Sequence, residues 1–383
     1  VEILRGSLKL GSSSTLSRIL LGLQMLISVL ALVFGFTFYQ NSIYQDELDL
    51  GYDREGILMV PVNDSNEAQR FKAAVENNPN VINKALTNNH VGWGSYGRAV
   101  SSGDLEYEVS VFDVGLDYVE ALGFNVIEGR GFDESKKQND KVNGILINER
   151  FASQFGWKNP IGQRVMIQDT LNLTVVGMLE DFYTWGFWGS IDPVMFRLKD
   201  DQDLSMLIVK VQDKQLGATI DYLEDTWGEL IQNRPSNVLT HEANVLGEAK
   251  DININILQMF LFLAGIAVVL SAIGLFTLVS INIQSRIKEI GIRKVLGAST
   301  FRITVLINKP FLIIVGIASV TGAGLGTYLV SGLMGAIWTY HVSPSIISGL
   351  IPVFVILLIA LLSISGKVVR AAKRNPVDSL RHE

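Results

Sequence analysis

Hydrophobic residues gather in blocks along this chain instead of being spread evenly among polar ones. Four windows contain no Asp, Glu, Lys or Arg: residues 19–38, 256–281, 311–330 and 346–365. Each is at least 20 residues long, enough at about 1.5 Å per residue to cross a hydrocarbon core about 30 Å thick. The pattern predicts an α-helical membrane protein with four transmembrane helices and excludes a wholly soluble chain. The stretch between the first and second windows has mixed periodicity. Ala68, Phe71, Ala74 and Val75 recur at helical spacing before Pro79, as do Ile220, Leu223, Trp227 and Ile231. Val109, Val111 and Phe112 read as strand, as do Ile145–Ile147, Leu171–Val176 and Leu204–Val211, while Asn148 reads as the cap of a helix carrying Phe151 and Phe155. Residues 40–250 are therefore predicted to form a large mixed α/β extracytoplasmic domain, long enough for two lobes, inserted between helices 1 and 2. Residues 242–255 read as a stalk continuing the second membrane helix outward, and Gly11–Ser14 as a flexible joint before the first.

Charge orients these spans. The chain carries a net −6, but residues 41–255 hold 18 Lys and Arg against 34 Asp and Glu, a net −16, and the remainder holds 14 against 4, a net +10. The basic residues flank the apolar windows: Arg5, Lys9 and Arg18 before the first, Arg286 to Lys309 between the second and third, Lys367 to Arg381 after the fourth. The 331–345 turn has neither Lys nor Arg. Basic loops stay on the cytoplasmic side, so both termini and the 282–310 region are expected inside, and residues 40–255 and the turn outside. Trp338 and Tyr340 suit an outer aromatic belt. Because each basic cluster borders a membrane span, membrane lipids are the expected contact and nucleic acid is not. The first window is longer than a signal-peptide core, and Phe36-Thr37-Phe38-Tyr39 offers no small-residue cleavage site, so it reads as a retained helix.

Composition removes several chemistries. With no cysteine there is no disulfide, thiolate nucleophile or Cys-ligated metal. His90, His241, His341 and His382 lie far apart without metal-ligand spacing, so they read as scattered surface or interface residues and no metal is expected. No G-x-x-x-x-G-K-[ST] occurs, so the chain has no phosphate-cradling loop and no cofactor of its own. Gly322, Gly324 and Gly326 sit inside an apolar span and read as helix-packing positions, as do Gly265 and Gly274. Adjacent carboxylates such as Glu180 and Asp181 would point to opposite faces of a strand, against shared acid–base work. Trp185, Phe187 and Trp188 read as core packing.

The stretch Gln284-Ser285-Arg286-Ile287-Lys288-Glu289-Ile290-Gly291-Ile292-Arg293-Lys294-Val295-Leu296-Gly297-Ala298-Ser299 places Ile283, Ile287 and Ile290 on one helical stripe among basic residues. On physics alone it is either an interfacial helix held by anionic lipid or a helix offered to a cytoplasmic partner. The run resembles the R-x-K-E-I-G-I-R-K-x-L-G-A-S motif of the FtsX-like permease family, the MacB type of ABC transporter subunits. Gly123-Phe124 with Ile127, Gly129-Arg130 and Phe132 resembles an element of that family's MacB-like periplasmic core domain. So do Ile147-Asn148-Glu149 followed by Asn159-Pro160-Ile161-Gly162, and Val176-Gly177 through Asp181-Phe182 followed by Ile191-Asp192-Pro193. Asn375-Pro376-Val377-Asp378-Ser379-Leu380-Arg381 resembles its C-terminal ending, whereas Lys309-Pro310 departs from the family run, where an acidic residue often follows the basic one.

The resemblance implies the permease subunit of a mechanotransmission ABC exporter, itself non-enzymatic, in a bacterial plasma (inner) membrane. A cytoplasmic ABC ATPase would bind the ATP and grip the segment made by Arg286, Lys288, Glu289, Ile290, Gly291, Arg293, Lys294 and Gly297. The implied layout is a cytoplasmic segment 1–18, helix 19–38, core domain 40–250, helix 256–281, coupling segment 282–302, helix 303–330 with its lead-in, helix 346–365 and a basic tail 366–383, with 256–383 as the FtsX-like permease domain. Val1-Glu2-Ile3-Leu4-Arg5 repeats the V-acid-x-L-R pattern of Val377–Arg381, and with the missing initial Met the chain is expected to be the second half of a tandem-duplicated permease. Four spans are few for a conduit, so a second permease half or a homodimer partner is expected, with periplasmic or outer-membrane factors as further partners. Competing readings are an ATPase-coupled regulator of cell-wall hydrolases that moves no substrate, and a membrane-anchored sensor or scaffold. Because the chain has no native thiol, single cysteines test the topology. One placed within 283–299 is expected to resist an impermeant maleimide in intact cells, and one within 40–250 to react; labelling of both from outside contradicts the arrangement.

Overall fold

The computed structural model describes residues 10–76, 78–167, 171–186, 188–231 and 234–373. The repeated V-acid-x-L-R segments, the Asn375–Arg381 ending, Phe187 and His382 lie outside them. The helices are α1 (Leu10–Glu47), α2 (Ser65–Ala74), α3 (Tyr118–Ala121), α4 (Lys137–Asn143), α5 (Glu149–Gln154), α6 (Leu216–Leu230), α7 (His241–Ser285), α8 (Ile287–Val295), α9 (Thr300–Ile337) and α10 (Ile346–Lys373). The strands are β1 (Ile57–Pro61), β2 (Val81–Thr87), β3 (Tyr96–Ser102), β4 (Leu105–Val114), β5 (Val126–Gly129), β6 (Gly144–Asn148), β7 (Arg164–Ile167), β8 (Leu171–Leu179), β9 (Val194–Leu198), β10 (Met206–Val211) and β11 (Leu239–Thr240). They divide into two compact units: residues 1–44, 252–337 and 341–383 form one, and residues 45–251 with 338–340 the other.

The first unit is helical, and four of its helices, α1, α7, α9 and α10, are long and apolar enough to cross a membrane. On α1, Leu21, Met25, Val29 and Val33 recur every fourth residue and are buried, while Leu20, Leu23 and Ile27 face outward. That is the two-sided apolar surface expected of a helix with protein on one flank and lipid on the other. Phe34 packs on Phe260 of α7 at 4.7 Å between ring centroids. A Cβ on Gly322 would lie 2.8 Å from the Leu26 carbonyl oxygen, and one on Gly326 would lie 3.1 Å from Val33 Cβ. These two glycines therefore let the backbones of α9 and α1 approach closely. Gly324 has no neighbour within 4 Å: residues two apart on a helix project about 200° apart, so it faces away from α1 and is removed from the packing set. Gly265 is likewise open, whereas Gly274 meets Gln24 at 3.4 Å. Toward one end of these helices, Asn41 Nδ2 donates to Asn253 Oδ1 at 3.2 Å and Asn41 Oδ1 accepts from Val342 N at 3.0 Å. Ser348 Oγ donates to Gln40 Oε1 at 2.6 Å.

The second unit is the mixed α/β domain, and it has two cores. Strands β4-β3-β7-β8-β6-β9 pair in that order, and β9 pairs with β4, closing a ring. Val109, Val111, Ile145, Ile147 and Met195 fill it, joined by Phe151 and Phe155 from the α5 region. Strands β11-β1-β10-β2 form an antiparallel sheet whose core includes Leu58, Leu86, Leu207 and Val209 with Phe71 of α2 and Trp227 of α6. Asp64 caps α2 by accepting from Glu67 N at 2.9 Å, and Glu67 reaches back to accept from Asn63 N at 3.1 Å.

Three expectations are corrected. Gly11–Ser14 belong to α1 and are no joint: a long apolar helix propagates through a short polar flank more easily than it nucleates anew. Residues 331–337 continue α9, so the turn is shorter than 331–345. Trp185 and Trp188 are exposed and Trp338 is buried, because Trp188 covers Trp338 at 4.3 Å. Trp338 is therefore core, and Trp185 and Trp188 are surface. For the α1–α9 contact, Gly322→Val is expected to destabilise the protein by about 1–3 kcal/mol through overpacking, while Gly324→Val leaves it unchanged. Thermal unfolding of both variants in detergent decides this, and equal midpoints contradict the close approach.

Candidate functional site

The segment singled out on sequence is a short helix bounded by two turns. Arg286 N bonds to Ile283 O at 3.2 Å, a tight i→i−3 turn that ends α7, and Ile290 N returns to Arg286 O at 3.0 Å to start α8. Ile283 and Ile290, both buried, thus belong to different helices. At the far end Gly297 adopts φ +87°, and Ala298 N bonds back to Arg293 O at 2.9 Å. This is the left-handed stop that a residue without Cβ makes at low cost. Two residues later Ser299 Oγ accepts from Arg302 N at 3.3 Å and begins α9. The Gly-Ala-Ser of the motif is therefore a helix stop followed by a helix start.

On α8 itself, Arg293 Nη2 donates to Glu289 Oε1 at 2.7 Å, one turn away. Gly291 is buried and Arg286 is exposed, while the side chains of Lys288 and Lys294 lie outside the described residues. Ile292, Val295, Leu296 and Phe301 are exposed, Leu296 to 80 %. Exposed apolar residues flanked by basic ones suit either a lipid boundary or a partner surface, and the sequence stripe had marked only the buried side.

The remaining motif residues hold the domain together. Buried Asn148 caps α5 by accepting from Phe151 N at 3.1 Å and also accepts from Val194 N at 2.8 Å. Its amide donates to Asp181 Oδ1 and to Asp192 O, both at 2.9 Å. Arg130 forms a two-pronged pair with fully buried Asp140 at 2.6 and 2.8 Å. Glu180 instead accepts from Asn125 at 3.0 Å, so Glu180 and Asp181 serve different partners. Burial raises the Asp181 carboxyl above its usual range, against the hydrogen bond from Arg150 N. Among the described residues no three His, Asp or Glu side chains converge as a metal site.

One constellation was not legible in the sequence. His90 and His241, read as scattered surface or interface residues, are both fully buried and paired: His90 Nε2 lies 2.9 Å from His241 Nδ1. His90 Nδ1 lies 2.9 Å from the Tyr118 hydroxyl, which also accepts from Val91 N at 3.3 Å, and the Tyr52 ring sits 5.5 Å from the His241 ring. His241 is the first residue of α7. Gly92, at φ +74°, brings the His90 loop against Val245 on the same helix, where a Cβ would collide. Burial and then the neighbouring imidazole hold His90 well below its ordinary range. Burial lowers His241 to about 4. Its Nε2 has no partner among the described residues, so a proton added there would be a buried donor without an acceptor.

Residues 12–225 match the family described as MacB-like periplasmic core domain, and residues 261–376 the family described as FtsX-like permease C-terminal. The macrolide export ATP-binding/permease protein MacB of Bdellovibrio bacteriovorus is 23% identical over 399 residues, covering 98% of this chain and 60% of its own length. MacB 2 of Aeromonas hydrophila is 26% identical over 290 residues, covering 72% and 43%. The chain thus spans about half the length of these relatives. The periplasmic region of MacB from Actinobacillus actinomycetemcomitans aligns in structure at 11% identity with a TM-score of 0.40, over 54% of this chain and 98% of that one.

The histidine pair makes stability depend on pH. An unfolded histidine titrates near 6.5 and the folded His241 near 4, so between those values the unfolded state binds more protons. Acidification through that window removes stability, by about 3 kcal/mol for His241 alone; the raised Asp181 carboxyl acts in the opposite sense. His241→Gln is expected to lower the thermal midpoint at pH 7.5 yet shrink the drop between pH 7.5 and 4.5. An unchanged drop shows that other groups govern the acid response.

Proposed function

The chain belongs to the FtsX-like permeases that carry a MacB-like periplasmic core domain, and from that premise we propose that it is the transmembrane part of an ABC-type exporter of the mechanotransmission class. In this reading a cytoplasmic ATPase docks on α8 and moves it, and the movement passes along the membrane helices to the extracytoplasmic domain. The observation that carries it is α8: a nine-residue helix, held between two turns, with Ile292, Val295, Leu296 and Phe301 exposed beside Arg286 and Arg293. Arg286, Lys288, Glu289, Ile290, Gly291, Arg293, Lys294 and Gly297 form the segment, with Gly297 setting its end.

ATP is bound by the partner, on its own chain or fused, because no phosphate-cradling loop occurs in these 383 residues. The relatives' names join ATP binding and permeation in one protein, and this chain covers only part of their length. The basic flanks of the four spans put both termini on the cytoplasmic side, and the relatives' names support a bacterial exporter. The closed ring of strands and the Asn148 hub fit a domain that moves as a body.

Charge reversal tests the docking. Arg293→Glu with Lys294→Glu breaks one exposed i,i+4 pair, a loss of about 0.3–0.5 kcal/mol, so insertion and folding should persist. Stimulation of the co-purified ATPase by the permease is expected to fall at least about tenfold, the equivalent of 1.4 kcal/mol of coupling. Unchanged stimulation in the double variant counts against α8 as the coupling element. Loss of stimulation without any transported substrate in vesicles would favour the regulator of cell-wall hydrolases.

A further inference from the structure

Three of the six tryptophans, Trp93, Trp185 and Trp188, are exposed, to 41, 44 and 37 %. All three lie on two loops of the α/β domain that are bonded to each other, Gly92 N donating to Thr184 O at 2.8 Å, while Trp93 N closes its own loop on His90 O at 2.9 Å. The second loop is fixed in turn to the 338–340 segment of the same unit. Trp188 stacks on Trp338 at 4.3 Å, Thr339 Oγ1 donates to Trp188 O at 3.0 Å, and Tyr183 meets Tyr340 edge-on at 4.6 Å. Three indoles left at the surface within one bonded patch are unusual, since each buries about 150–250 Å² when covered.

Charge separates this patch from the rest of the domain. Residues 41–255 carry a net −16, yet 85–97 and 182–191 contain no Asp, Glu, Lys or Arg, and neither does 310–366. Trp338 directly follows Ile337, the last residue of a membrane-spanning helix, and Ile346 begins the next. The segment between them is therefore held at the bilayer surface by the chain itself, and the loops bonded to it lie within reach of the headgroups. Indole is the side chain that best suits that zone, with an apolar body for the acyl boundary and an N–H for the wet side. An acidic protein surface approaching phospholipid also needs its contact loops free of carboxylates. We propose that the Trp93 and Trp185–Trp188 loops form a lipid-docking surface, by which the domain rests on the outer phospholipid headgroup layer. This rests on the membrane-spanning helices and is independent of docking at α8.

The absence of native cysteine permits a direct test. Single cysteines replace Trp93, Trp185 and, as a control, Leu105, which is exposed at the start of β4. Each full-length protein is nitroxide-labelled and placed in phosphatidylcholine nanodiscs. Collision with lipid-soluble oxygen and with a water-soluble nickel chelate is then read by power-saturation EPR. The ratio of oxygen to nickel accessibility is expected to be several-fold higher at 93 and 185 than at 105. A ratio equal to that at 105 overturns the proposal. So does protection from both reagents, which would place a protein partner over the loops. Loss of α8 coupling in the charge-reversal variant leaves this readout unchanged, so the two readings fail separately.

Discussion

Hydrocarbon gives a helix no water to bond to and no hydrophobic gain from touching another helix, so association rests on how closely backbones can approach. In this protein that constraint falls on two glycines one turn apart. Gly322 and Gly326 admit the Leu26–Val33 ridge of α1 to within van der Waals contact. Around them Val29 and Val33 are fully buried. Near one end of the bundle polar side chains pair with one another, Asn41 with Asn253 and Gln40 with Ser348. Close backbone approach at the α1–α9 contact and hydrogen bonds near one end thus both hold the helical unit.

The α/β domain answers a different constraint. Its backbone polar groups pair by closing a ring of six strands and by continuing from β4 into the antiparallel run β2-β10-β1-β11, and each part has its own core. The family's motif residues sit where these parts need pinning. Asn148 makes four hydrogen bonds from a fully buried position, and Asp140 is buried only because Arg130 meets both its oxygens. They are structural bolts that tie the motif's carboxylates to fixed partners.

Much of this was legible locally. Missing charge marked the spans, apolar spacing marked α2 and α6, and Asn148 before Phe151 marked a helix start. Each of these signals acts within one or two turns of its own residue. What escaped were features created by the tertiary fold. His90 and His241 lie 151 positions apart, and no spacing rule joins them. The sequence grouped Gly324 with Gly322 and Gly326 because all three are small; only the helical angle separates it. Trp185 and Trp188 looked like core because aromatics usually are, and exposure depends on what the fold leaves beside them. In the candidate segment, the helix stop at Gly297 was implicit in the residue type, while the outward turn of Ile292 and Leu296 was not.

The short joint between α8 and α9, residues 296–299, has a mechanical consequence. Its four residues span at most about 14 Å even when drawn straight, and here Gly297 and Ala298 are already folded into a bonded stop, with Ser299 fastening the next helix. That leaves little slack between α8 and α9. A pull on the short helix beyond that reach must drag the start of the long one with it, so the joint acts more as a hinge pin than as a shock absorber.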